Sequence, residues 1–100
     1  MGFNRYTAED ITTKTTVVTC PAGKVITVIG VGVANVSGTT SLITVELNNA
    51  KIVKDASVFA GSSIVPVGGE QKLVMVAGDT LSVTSDYAVD TIVSVLEQTV

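Results

Sequence analysis

The sequence predicts an all-β protein: a single antiparallel β-sandwich of about eight strands, jelly-roll-like in character. Three observations carry this. β-Branched residues dominate, with 19 Val, 7 Ile and 14 Thr among 100 residues; such side chains are stiff at χ1 and fit a pleated surface better than a helix. Apolar and polar positions alternate with a period of two, and turn residues recur every 8 to 12 positions. No segment sustains the 3.6-residue period of an amphipathic helix. A chain of this length makes one domain, and folding buries roughly two-thirds of its unfolded surface.

Residues 1–10 show no sustained alternation and read as an N-terminal arm or irregular lead-in, with Phe3 and Tyr6 as anchors; residues 11–100 form the sandwich. Ile11 to Cys20 is a Thr-rich first strand, broken by the turn residues Pro21-Ala22-Gly23. Lys24 to Val36 is the longest apolar run and reads as a central strand. Strict alternation puts Val25, Thr27, Ile29, Val31 and Val33 on one face. Ile26 and Val28 then share the other face with Gly30, Gly32 and Ala34, and that thin stripe invites close approach of another backbone.

Beyond the turn at Ser37-Gly38, Ser41 to Asn48 alternates, with Ile43, Val45 and Leu47 opposite Thr44 and Glu46. Asn48-Asn49 tolerates positive φ and predicts a tight hairpin into Lys51 to Phe59. Ser62 to Val67 contains Pro66, which cannot donate to a ladder, so it is an edge strand or a crossover. Gly68-Gly69 turns the chain into Gln71 to Ala77, where Leu73 and Met75 oppose Val74 and Val76. Gly78-Asp79 leads to Thr80 to Ser85, with Leu81 and Val83 facing in. Val89 to Glu97 closes the domain, its Val89, Val93 and Val95 on one face and Ile92 and Leu96 on the other. The recurring Ala-Gly pairs at 22–23, 60–61 and 77–78 are unequally spaced, which marks turn chemistry and not a repeat array.

Charge and chemistry narrow the function classes. The net charge is −3, and the six basic residues are scattered without an aromatic platform, so neither nucleic acid nor an anionic membrane is an expected partner. Residues 1 to 10 lack the apolar core of a signal peptide, and Tyr6 stands where a myristoylation motif needs Ser or Thr. The single cysteine, Cys20, excludes an internal disulfide framework and reads as a small buried hydrophobe. There is no histidine, hence no common general base or zinc ligand, and no Gly-x-Ser-x-Gly elbow. Asp79, Asp86 and Asp90 are the one acidic grouping near strand ends; calcium is one reading and turn-capping the favoured one. Glu9-Asp10 reads as a solvated pair. No catalytic residue, cofactor or metal is expected, and the chain is not expected to be an enzyme.

Several turns recur in a telling order: Pro21-Ala-Gly-Lys, Ala34-Asn-Val-Ser-Gly-Thr, Val45-Glu-Leu-Asn-Asn, Ala60-Gly-Ser-Ser-Ile, Gly78-Asp-Thr-Leu-Ser-Val and Val93-Ser-Val-Leu-Glu. In this order, over roughly residues 15 to 98, the chain resembles small β-sandwich structural proteins of tailed bacteriophage virions. Phe59 departs from the pattern, standing before Ala60-Gly61 where proline is usual. The resemblance implies a virion component assembled in the host cytoplasm, either a capsid decoration (cement) subunit or a tail- or fibre-associated protein. The alternative within that setting is a module binding carbohydrate or the cell surface through loops such as Ser37 to Ser41 and Gly68 to Gln71. The expected partners are a second copy, as a dimer or trimer, and the major capsid protein or other virion proteins. Candidate interface residues are Phe3, Arg5 and Tyr6 on the lead-in, and Ile26, Val28, Ile92 and Leu96, which lie opposite the main aliphatic ridges.

Overall fold

The structure, a computed structural model, describes residues 2–69 and 71–100. The strands are β1 (Gly2–Ile11), β2 (Thr15–Thr19), β3 (Lys24–Asn35), β4 (Ser41–Leu47), β5 (Ala50–Val58), β6 (Ser63–Val67), β7 (Leu73–Met75), β8 (Thr80–Ser85) and β9 (Val89–Thr99), and no helix occurs among the described residues. Sheet A has the order β1-β9-β3-β6, with β7 also paired to β3; sheet B has the order β2-β8-β4-β5. Every pairing is antiparallel.

β6 and β7 follow one another along the same edge of β3, β6 beside Val31–Ala34 and β7 beside Ile26–Val28. Counted as one interrupted strand, they reduce the chain to a single long hairpin with its tip at Asn48-Asn49. Its successive pairs β4:β5, β3:β6/β7, β2:β8 and β1:β9 fall alternately in sheets B and A. Rolling that hairpin and closing β9 onto β3 and β8 onto β4 gives the jelly roll. Asn48 sits at φ 54°, the left-handed conformation that the hairpin reading requires.

Residues 2–10 are not an arm. Gly2–Ile11 is β1, paired with β9 from Gly2↔Glu97 to Ile11↔Val89; Met1 lies outside the described residues. The strand hides in the sequence because it lies at a sheet edge. Only Tyr6, Ala8 and Ile11 turn toward the core, while the large apolar Phe3 points away from it. The first strand expected from Ile11 is interrupted at residues 12–14, where the chain crosses from sheet A to sheet B.

Alternation in β3 is broken as well. Val28 pairs with Val95 and Gly30 with Ser94, so Ile29 is an extra residue, a β-bulge. The bulge resets the parity. Ile26 and Val28 before it, and Val31 and Val33 after it, all face inward and are buried. Gly30, Gly32 and Ala34 face outward with Val25 and Thr27. Ile26 and Val28, expected to need cover from a neighbouring subunit, are therefore covered by sheet B of the same chain. Their partners in the core include Ile43, Val45, Met75, Leu81, Val83, Val93 and Val95, all buried.

Hydrogen-bond clusters close both ends of the sandwich. At one end the buried Asn35 uses its whole side chain: Nδ2 donates to the Thr39 and Val58 carbonyls at 2.8 Å each, and Oδ1 accepts from the Ser37 amide at 2.9 Å and the Ser37 hydroxyl at 2.6 Å. At the other end the Val76 amide donates to Asp79 at 2.9 Å and the Asn48 amide group to Asp79 at 3.1 Å, while the Thr80 amide donates to Asn48 at 3.0 Å. Gly78, at φ 89°, makes the turn that presents Asp79. Saturation matters at Asn35, because a buried polar group left unpaired costs more than a hydrogen bond gains; the Asn48–Asp79 cluster is exposed and serves to fix the turn.

One inward side chain breaks this rule. Thr91 is 1% exposed between Ala8 and Val33, and its hydroxyl has no partner among the described residues. Thr91→Val, which keeps the shape and removes the unpaired hydroxyl, is expected to raise stability by about 1 kcal/mol in urea unfolding. In the same assay Ile26→Ala should cost about 2–5 kcal/mol by opening a cavity, whereas Ile92→Ala, on the outer face, should change stability by no more than about 0.5 kcal/mol. A large loss for Ile92→Ala would contradict the assignment of faces.

Candidate interaction surface

The two sheets show different outer faces. On sheet B, Thr16, Thr44, Thr84 and Ser82 line up across β2, β8 and β4. Glu46 sits among them, paired with Lys51 at 3.0 Å and Lys14 at 3.6 Å. The Lys51 hydrogen bond, helped by the Lys14 charge, holds the Glu46 carboxyl below the usual carboxylate range. This face is mostly polar, with Leu42 exposed at one end of β4.

The outer face of sheet A exposes large apolar side chains among small and polar ones. The register sets Phe3, Leu96, Thr27 and Val74 in one row across β1, β9, β3 and β7, then Arg5, Ser94 and Gly30, then Thr7, Ile92 and Gly32. Phe3 is 81%, Val65 68%, Val74 60% and Ile92 55% exposed. Between Ile92 and Val65 the small residues Gly32 and Ala34 floor an open groove of about 310 Å3. A Cβ added at Gly32 would meet nothing within 4 Å, so nothing in the subunit occupies the space above this stripe. The expected candidates divide accordingly. Phe3, Arg5, Ile92 and Leu96 come together on this one face. Tyr6 lies on the opposite side of β1, half-buried against the core, and Ile26 and Val28 are inside it. Val65 and Val74 complete the face and were not among the candidates; their signal was outward parity on edge strands, which a run of valines conceals.

Tyr6 has a structural task. Its hydroxyl donates a short hydrogen bond to Glu97, which also accepts from the Asn4 side chain at 3.2 Å, so the cluster clasps β1 to β9. The Tyr6 bond is the main reason the Glu97 carboxyl is held below the usual range, and the same bond raises the Tyr6 phenol.

The acidic trio does not converge. Asp79 caps the turn beside Asn48, and Asp86 accepts the Leu42 amide at 2.9 Å and the Ser41 hydroxyl at 3.0 Å at the other end of β8. Asp90 accepts the Asp10 amide at 2.9 Å. No cluster of three His, Cys, Asp or Glu suited to a metal ion occurs among the described residues. The Cys20 thiol is buried and lies against the Lys24 and Met75 carbonyls at 3.3 and 3.6 Å, as expected of a small core residue. Of the loops considered for ligand binding, Ser37 is absorbed in the Asn35 cluster, and Glu70 in the second loop lies outside the described residues.

Comparison of the chain with known protein families, with curated proteins and with solved structures finds no match.

The depressed carboxyls fix the sign of the acid response. Glu46, Asp79, Asp86 and Glu97 all have folded pKa values below their unfolded ones. Their contribution to stability is complete above the unfolded values and is lost as pH falls through the folded ones. The urea midpoint should therefore stay level from pH 7 to about pH 5 and drop steeply below about pH 4. Asp79→Asn, which keeps the size of the cap but cannot titrate, should make that drop shallower.

Proposed function

We propose that this chain is a non-enzymatic structural subunit of a tailed-bacteriophage virion, most specifically a capsid decoration subunit that stabilises the shell through subunit contacts. The observation that carries the reading is the outer face of sheet A. It is a largely uncharged surface on which Phe3, Val65, Val74 and Ile92 stand exposed, with unfilled space above Gly32. Isolated exposed hydrophobics are ordinary on a monomer, but here several share one sheet face, Phe3 and Val74 on one side of the Arg5–Ser94 row and Ile92 and Val65 on the other, and such a grouping marks an interaction site.

Two further features support the reading. The ordered turn motifs resemble those of virion β-sandwich proteins, and the jelly-roll architecture agrees with that resemblance. The chain also lacks the means for common catalysis: it has no histidine, and its one thiol is buried. Arg5 at the rim of the face, beside Phe3, is the pairing of charge and aromatic ring that protein interfaces favour.

A second reading, a tail- or fibre-associated module that binds a cell surface, draws on the loop end of the sandwich around Asn35. Phe59 is 69% and Tyr87 47% exposed there, joined by Val36 and Leu42. The Val36 amide bonds to the Ala88 carbonyl and the Gly61 amide to the Asn35 carbonyl, so these loops are tied to one another.

The test uses particles produced from the encoding genome with this gene deleted. Wild-type protein added back is expected to occupy the shell and raise particle survival on heating. Ile92→Asp, which places a charge at the centre of the outer face without touching the core, is expected to fold normally and to lose occupancy at least tenfold. Full occupancy by Ile92→Asp would remove the outer face from the contact. Failure of wild-type protein to bind shells, together with binding of Phe59- and Tyr87-dependent character to cell-surface glycans, would replace the decoration reading with the fibre one.

A further inference from the structure

The sandwich has four free edges, and they are not equally defended. A free edge offers unpaired N–H and C=O groups to any passing strand, so stable folds blunt it with charge, proline, bulges or brevity. β5 carries Lys51, Lys54 and Asp55, and its register against β4 shifts twice, with Asp55 at φ 51°. β6 contains Pro66 and is followed by the three-residue β7. β2 has five residues and a register shift between Thr16 and Val18. β1 stands apart. From Gly2 to Ala8 it runs in regular register on β9, with one charge and no proline; its other charges, Glu9 and Asp10, its bulge and the positive φ of Asp10, 53°, are confined to its end, so seven residues of its edge stay regular.

The side chains of β1 add a second observation. Arg5, Thr7 and Glu9 are exposed, and neither Arg5 nor Glu9 has an ion partner among the described residues. An antiparallel strand added to this edge pairs residues of like parity, and a second copy of β1 must obey two-fold symmetry. Centring the axis on Arg5 opposes Arg5 to itself. Centring it on Thr7 opposes Arg5 of each copy to Glu9 of the other, twice, with Thr7 against Thr7, and confines the pairing to Arg5–Glu9, because the bulge that begins at Glu9 and the left-handed Asp10 end the ladder there. Opposite charges directly across a ladder stabilise it and like charges destabilise it.

From the undefended edge and this charge pattern we infer that two copies of the chain associate through β1, antiparallel and centred on Thr7, joining their A sheets into one continuous sheet. The partner is a second copy because the strand is complementary to itself in that register. The pairing also sets two apolar outer faces side by side, doubling the platform available to a larger surface. The inference rests on the reading that the chain self-associates, but not on what the outer face of sheet A binds.

Sedimentation equilibrium at low salt tests it with four proteins. Wild type is expected to form a reversible dimer. Arg5→Glu and Glu9→Arg are each expected to weaken it at least tenfold, because each places like charges opposite one another at two points. The double variant Arg5→Glu/Glu9→Arg restores opposite charges and is expected to recover dimerisation. Both positions are exposed, so circular dichroism and the melting temperature should not change. Thr7→Cys provides an independent reading of register: mild oxidation should give a disulfide-linked dimer. Arg5→Cys should not, since that register holds the two copies of position 5 about 13 Å apart. Single variants as dimeric as wild type would place the contact elsewhere. Weakened single variants without recovery in the double would overturn the register. A wild-type protein monomeric at high concentration would overturn self-association itself, while the particle-binding experiment would still stand or fall by its own result.

Discussion

Ile29 is one residue too many in β3, and the rest of the sandwich depends on where the chain puts it. β3 is paired along both edges, with β9 on one side and β6 and β7 on the other. An unbroken twelve-residue strand would send Ile26 and Val28 to one face and Val31 and Val33 to the other. Only one face of sheet A meets sheet B, so two of the four would lose their core. The bulge lets all four point inward, and each buried branched side chain contributes about 1.5–3 kcal/mol relative to exposure. Leaving two outside would forfeit several kcal/mol, a large part of the net stability of a domain this size. The same bulge places Gly30, Gly32 and Ala34 together on the outer face, so the core and the candidate contact surface have a common cause.

The core this makes is uniform and aliphatic. Valine predominates, with Ile, Leu, Met75 and Cys20, and no aromatic ring is buried in it. Branched residues of similar size fill the space between two sheets well, but they specify little about which strand lies beside which. Specificity then falls to polar groups at the two ends. Asn35 joins the ends of β3 and β5 to the β3–β4 loop, and Asn48 with Asp79 joins the hairpin tip to the start of β8. A mispaired strand would leave Asn35 buried and unbonded, which penalises the wrong topology more than it rewards the right one, while the exposed Asn48–Asp79 pair fixes the turn without that penalty.

What could be read from the sequence follows from this division. Alternation on β9 and β7 was legible because each strand is regular: Val89, Val93 and Val95 turn inward as expected, and Leu73 and Met75 oppose Val74. The hairpin at Asn48-Asn49 and the edge position of Pro66 were legible because positive φ and a missing N–H are local properties. β1 was not legible, since an edge strand with one tyrosine and one alanine facing in leaves almost no period to detect. The parity of β3 was not legible either. A bulge depends on the partner strand, and a run of valines and isoleucines looks the same with or without one. Hence Ile92, Leu96, Phe3 and Arg5 were found as surface residues while Ile26 and Val28 were assigned to the wrong side. The groove wall at Val65 became visible only once β6 was placed beside β3.

The asymmetry between the two outer faces is the last consequence. Both sheets are built from the same β-branched alphabet, and sheet B shows what such a sheet looks like when water is its intended neighbour: threonine, serine and a lysine-bracketed glutamate. Threonine is nearly isosteric with valine, so exchanging one for the other costs little shape. A chain with 14 Thr had ample means to make the outer face of sheet A equally polar, yet Ile92, Val65, Val74 and Phe3 stand there instead. Nothing in the fold requires them, because they lie opposite the core and above a glycine stripe that a side chain would have room to fill. Residues that the fold does not need, and that exposure to water penalises, are best explained by a surface that does not stay exposed.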